Sequence, residues 1–134
     1  MRMKMVLGVV LGMAALVAPA MAHHAHGNYK TETIDLEGVV MEFQILNPHA
    51  WLYVNVKDAS GKEQAWALES DGDKNNYRTL RKEGKGPDAG DVVKVRCHPL
   101  HDGSPGCLMG FLKGKDGVVR DFDNGGVPIK VDGF

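Results

Sequence analysis

The chain has 134 residues, 43% of them apolar, and sixteen basic against seventeen acidic side chains, for a net charge of −1. That length suits one domain, and two cysteines are too few for a disulfide-dense scaffold. The near-balanced charge lacks the basic excess of a nucleic-acid or anionic-membrane binder.

Met1-Arg2-Met3-Lys4 is a short positive stretch, and residues 6–17 are apolar apart from Gly8 and Gly12. Small residues follow at Ala20 and Ala22. This three-part layout predicts a cleavable signal peptide over 1–22. The apolar run is about a dozen residues, short of the ~20 that span a bilayer, so no membrane anchor is expected after cleavage. Removing residues 1–22 leaves 112 residues. Arg2 and Lys4 are lost with no acidic residue, so the mature charge is −3. A chain of this size buries about two-thirds of its unfolded surface. The predicted location is the periplasm or outside the cell.

Residues 23–35 read as a flexible, His-rich segment. A long β-type run over 36–46 contains Gly38, as a bent strand would, and Asn47-Pro48 ends it with turn chemistry. A second strand covers 50–57, Asp58-Ala59-Ser60-Gly61 makes a hairpin turn, and a third strand covers 63–69. Between 71 and 83, Tyr77 and Leu80 lie three apart among Lys74, Arg78, Arg81 and Lys82. This is a short amphipathic helix, with Ser70, Asp71 or Asp73 able to cap its start and Gly84 its end. Strands are expected over 91–97, 106–113 and 118–122, and the glycine-rich tail 123–134 reads as loose.

Three strands, a helix and two strands is the order of the OB-fold. The expected fold is mostly β: a small OB-like Greek-key barrel of five or six antiparallel strands over 36–122, with one short helix between strands 3 and 4. Another small antiparallel barrel or sandwich with a helical insertion is the alternative.

All six histidines fall after the cleavage point. His23, His24 and His26 lie at the new terminus, His49 in the first turn, and His98 and His101 after the fourth strand. On an OB barrel the first turn and the fourth turn flank one face, so His49, His98 and His101 are expected to converge. A terminal His23 would offer its α-amino group and imidazole as a chelate, both neutral near neutral pH. Nitrogen-rich sites of this kind favour copper or nickel over zinc. A solvated polar tip with no metal role is the competing reading.

Cys97-His98-Pro99-Leu100-His101, followed by Cys107, matches neither a haem-attachment nor a zinc-finger spacing. A disulfide between Cys97 and Cys107 is expected, contributing under ~3 kcal/mol; a Cys/His metal site is the alternative. Trp51 and Tyr53 share a strand face, with Trp66 on the next strand. They are core residues, or a surface on which a small molecule, glycan or partner protein stacks. Glu42, Glu69 and Asp71 read as unremarkable strand-edge and turn acids, and the helix cations as a solvated face. No Ser-His-Asp layout, phosphate loop or HExxH motif is present, so an enzyme is not expected.

The post-signal His23-His24 pair, the strand Leu36-Glu37-Gly38-Val39-Val40 and the segment Asn47-Pro48-His49-Ala50-Trp51 resemble a family of small exported bacterial proteins, domain-of-unknown-function family 6152. The resemblance runs over most of the mature chain and implies export and fold; it carries no activity. His26 and the Cys97, His98, His101 and Cys107 group depart from the family pattern.

The function expected from sequence is a periplasmic binding protein that holds a copper-like metal through terminal and loop histidines. The alternative is an OB-type accessory module with no metal, binding a small molecule, glycan or periplasmic partner protein. Mass spectrometry of exported protein is expected to show a chain beginning at His23. An intact Met1 terminus on membrane-bound protein would overturn the export reading.

Overall fold

The computed structural model describes residues 26–46 and 48–134. The expected signal peptide and the candidate ligands His23 and His24 lie outside the described residues, as does the side chain of His26.

Seven strands form: β1 (Ile34–Ile45), β2 (Ala50–Lys57), β3 (Glu63–Ser70), β4 (Val92–Pro99), β5 (Gly106–Lys113), β6 (Val119–Asp121) and β7 (Val127–Pro128). Among the described residues one helix, α1 (Lys74–Lys82), separates β3 from β4, and a 3-10 turn spans His26–Asn28. Strands β1, β2 and β3 form an antiparallel meander; β4 pairs with β1 on one side and β5 on the other. A short parallel pairing of β3 with β5, from Ala67↔Gly106 to Glu69↔Leu108, closes the barrel. The OB-like barrel is therefore present, with two additions to the expected strands. The closing pair is parallel, because β5 returns alongside β3 after the β4 crossover, and β7 extends the sheet beyond β6.

Strand β1 is long because it serves two partners, β4 over residues 34–39 and β2 over residues 38–45. Gly38 lies in the overlap, paired with both Val56 and Val93. A Cβ there would lie 2.3 Å from the Asn55 carbonyl oxygen and 2.8 Å from Val54 Cγ1. Two bulges then reverse the inward parity of their strands. The first falls between Val40 and Glu42, so Leu36 and Val40 point inward, Met41 is exposed, and Phe43 points inward again. The second lies on β5 around Gly110, between the inward Met109 and the inward Leu112. Leu52, Val54, Leu68, Val93 and Val95 complete the interior.

Helix α1 closes one end of the barrel. Asp73 caps it, its side chain accepting from Asn75 N–H at 2.8 Å, as one of the three sequence candidates for this role. Tyr77 is its one buried residue and stacks on Phe122 at 5.0 Å, with Phe43 edge-on at 5.7 Å. The helix cations are not all solvated. Arg81 donates to the Phe43 carbonyl and lies 5.4 Å above the Phe43 ring, which covers the β1 edge where β4 has ended.

The terminal segments differ from the loose ends expected. Gly125 and Gly126 adopt positive φ of 71° and 79°, a turn that returns the chain so that β7 pairs with β6. Ile129 N–H donates to Val119 at 2.9 Å, and the Phe134 ring lies 5.1 Å from both the Lys94 and Arg96 cations. The glycines that suggested looseness make a turn. At the other end, Ile34 and Asp35 belong to β1, and Tyr29 bridges Leu100.

Cys97 and Cys107 form a disulfide, both fully buried, as expected. With both sulfurs bonded together, the alternative Cys/His metal site has no thiolate. Among the described residues no helix is long and apolar enough to cross a membrane. Gly38→Ala should force the β1–β2 crossing apart and lower stability by ~1–3 kcal/mol, the usual cost of overpacking. Urea unfolding would measure it, and an unchanged midpoint would contradict the close approach.

Candidate metal centre

The β2–β3 register decides which polar side chains meet. Ala50 pairs with Ser70 and Trp51 with Glu69. One step further brings His49, in the turn after Pro48, opposite Asp71. Ala50 and Ser70 are fully buried, so the pleat turns His49, Trp51, Glu69 and Asp71 to the outer face.

There three donors converge. His49 Nδ1 contacts Glu69 Oε1 and lies 3.1 Å from Asp71 Oδ1. One donor atom from each residue lies within 4.8 Å of the other two. The side chains are 11%, 17% and 27% exposed for His49, Glu69 and Asp71. Tyr29 donates its hydroxyl to the second oxygen, Glu69 Oε2, at 2.5 Å. Burial pushes the Tyr29 phenol well above its ordinary pKa, and the hydrogen bond and charge of Glu69 and the charge of Asp71 push it further. Tyr29 is therefore a neutral hydrogen-bond donor.

One imidazole nitrogen and two carboxylate oxygens, all within 4.8 Å of one another, are donors that a single divalent cation can share. One imidazole with carboxylate oxygens suits borderline transition metals such as zinc, nickel and copper(II).

Beneath this surface Ser70, between Glu69 and Asp71, points into the core. Its Oγ donates to the Phe122 carbonyl at 2.7 Å, and Tyr77 Oη contacts both groups. Burial raises the Tyr77 pKa to about 12 against the opposing hydrogen bond from Ser70. This closed polar triangle locks the end of β3 onto α1 and the β6 terminus, and so fixes the backbone that presents both carboxylates.

The other sequence candidates fall elsewhere. His49 does not group with His98 and His101, contrary to expectation. The His98 ring Nδ1 instead bonds the Lys30 carbonyl at 3.0 Å, and His101 lines a shallow cleft with Lys30, Glu32, Ile34 and Pro99. The N-terminal segment instead pairs along residues 99–101, through Lys30 N–H to the Pro99 carbonyl and the Tyr29–Leu100 bridge. Nor do the three aromatics share a face. Trp51 and Tyr53 point outward, whereas Trp66 pairs with Val54 and points inward at the barrel mouth. There it lines a cavity of about 280 Å³ with Leu36, Val56, Asp58, Lys62 and Gln64.

In the sequence Glu69 and Asp71 read as ordinary strand-edge and turn acids and not as site residues. The signal was present in the hairpin. If residues 57 and 63 flank the Asp58–Gly61 turn, counting back along both strands pairs 51 with 69 and brings 49 opposite 71. Tyr29 had no comparable signal.

The model of a family of unknown function (DUF6152) matches residues 10–109. Comparison with curated proteins returns no match. Among solved structures, the mitochondrial single-stranded DNA binding protein Rim1 from S. cerevisiae is similar at a TM-score of 0.46 and 8% identity, over 63% of this chain and 93% of that one.

Ser70→Ala would remove one of the two donors to the buried Phe122 carbonyl, which keeps its bond from the Tyr77 hydroxyl. A loss of ~0.5–1.5 kcal/mol, the net worth of one hydrogen bond, is expected, measurable by denaturant unfolding. Stability equal to that of the native chain would show that the triangle does not lock β3.

Proposed function

The chain belongs to the family of unknown function DUF6152, so its role must be argued from its own site, and we propose that it is an exported protein binding one divalent, copper-like transition metal. The convergence of His49, Glu69 and Asp71 within 4.8 Å carries this reading. These residues form the fixed part of the site, held by the β2–β3 register. The mature terminus supplies the rest: the His23 amine and imidazole as a chelate, with His24 and His26 as further nitrogen donors. His23 is six residues before Tyr29, and Tyr29 touches Glu69. Six residues reach at most ~20 Å, which keeps the terminal histidines within range of the site.

The donor set differs from the all-histidine site expected from sequence. Added nitrogen ligands favour copper(II) or nickel(II), while the carboxylates alone would shift preference toward harder ions. The buried Cys97–Cys107 disulfide supports an oxidising compartment outside the cytoplasm. A mature charge of −3 speaks against nucleic acid as the partner.

Calorimetric titration of protein beginning at His23 should show one tight Cu(II) equivalent, with nitrogen ligands visible by electron paramagnetic resonance. His49→Ala should weaken binding tenfold or more, and the double change Glu69→Gln with Asp71→Asn at least as much. One extra residue before His23 should weaken it by orders of magnitude through loss of the chelate. If His49→Ala and the double variant both bind like the native chain, no organised site exists.

A further inference from the structure

We propose that residues 28–30 form a strap whose docking is coupled to metal occupancy, with Tyr29 as the positioning residue that joins the two; this rests on the metal reading above. Glu69 has two oxygens with two different duties. Oε1 faces His49, inside the donor cluster, and Oε2 accepts the Tyr29 hydroxyl at 2.5 Å. A carboxylate held at one oxygen by a phenol cannot rotate freely, so the other oxygen stays presented to a metal. Tyr29 acts on the far oxygen, which distinguishes it from a ligand.

The strap reaches this carboxylate from 40 residues away in sequence and is docked by backbone bonds on both sides of Tyr29. Lys30 N–H donates to the Pro99 carbonyl at 2.8 Å, and His101 N–H donates to Asn28 at 2.9 Å. The His98 ring adds its bond to the Lys30 carbonyl. The surface it docks on, residues 98–101, is anchored by the Cys97–Cys107 disulfide immediately before it. The Tyr29 hydroxyl is thus the point where the docked strap meets the donor cluster. A metal that orders Glu69 favours the docked strap, and a docked strap strengthens the metal site by the same factor.

Hydrogen exchange of the Lys30 and His101 amides in the mature chain, with and without Zn(II), tests this. Zinc should slow exchange at both amides by about tenfold or more in the native protein. Tyr29→Phe should fold with little change in Tm, weaken Zn(II) binding about 10–100-fold, and abolish the slowing even at saturating zinc. If native protein binds zinc in a His49-dependent manner while both amides exchange unchanged and Tyr29→Phe binds normally, the strap is overturned and the metal site stands. If native protein binds neither zinc nor copper, the metal reading falls and the strap with it. With Cu(II), a phenolate-to-copper absorption lost in Tyr29→Phe would make Tyr29 a ligand and overturn its positioning role. The exchange measurement on native protein needs no substitution, so it decides the coupling even if the variant does not fold.

Discussion

The β2–β3 hairpin register is the constraint on which the site depends. The turn that sets it is closed by Asp58, whose carboxylate accepts from the Ser60 amide at 2.8 Å, the Ser60 hydroxyl at 2.6 Å and the Lys62 amide at 3.0 Å. These bonds hold the exposed Asp58 carboxyl below its ordinary pKa, the Ser60 hydroxyl first. From this turn the pairing runs unbroken for eight residue pairs to Ala50↔Ser70. A slip of one residue would turn Leu52, Val54 and Leu68 outward and bury His49 and Glu69. The burial of the apolar face therefore enforces the register, and the register brings the polar residues of the opposite face together. Core packing and site geometry have one cause.

Ser70 shows how closely the two are joined. It lies between two outward carboxylates and points into the core, where its hydroxyl donates to the Phe122 carbonyl and contacts Tyr77 Oη. A hydrocarbon there would pack but leave the Phe122 carbonyl and Tyr77 hydroxyl without this partner. The polar triangle ties the end of β3, the middle of α1 and the end of β6 into one unit. Glu69 thus projects from the end of β3 and Asp71 from the residue just after it, on either side of the Ser70 side chain that ties this backbone to the core.

Barrel closure depends on devices that break strict alternation. The Val40/Glu42 bulge and the one around Gly110 let long strands bend around the barrel while keeping large apolar residues inside on both arms. Gly38, where β1 passes between β2 and β4, removes the side chain that would collide with the Asn55 carbonyl. Together they bring β5 alongside β3, beside Glu69. The disulfide then holds the adjoining turn, against which the N-terminal strap rests.

Much of this was legible in the amino-acid order. Alternating β-branched and aromatic runs predicted the five main strands, the Asp58–Gly61 turn predicted the hairpin, and Asp73 with Gly84 bracketed the helix. These signals are local: each rests on residues a few positions apart. The disulfide was legible from two cysteines placed beside one turn. The site was only half legible. His49 stood out as an unusual residue in a turn, but Glu69 and Asp71 looked like ordinary strand-edge acids, because nothing near them in sequence marks them as partners. Tyr29 lies 40 residues from the carboxylate it touches, and His98 turned to the Lys30 carbonyl although its loop position suggested His49. Trp51 and Trp66 on neighbouring strands read as core or as a stacking surface, and the pairing of Trp66 with Val54 puts them on opposite faces. The sequence by itself determined which segments become strands and which residues carry chemistry. Only the tertiary structure decided which of those residues meet, because register, bulge parity and barrel closure are set by pairing between distant segments.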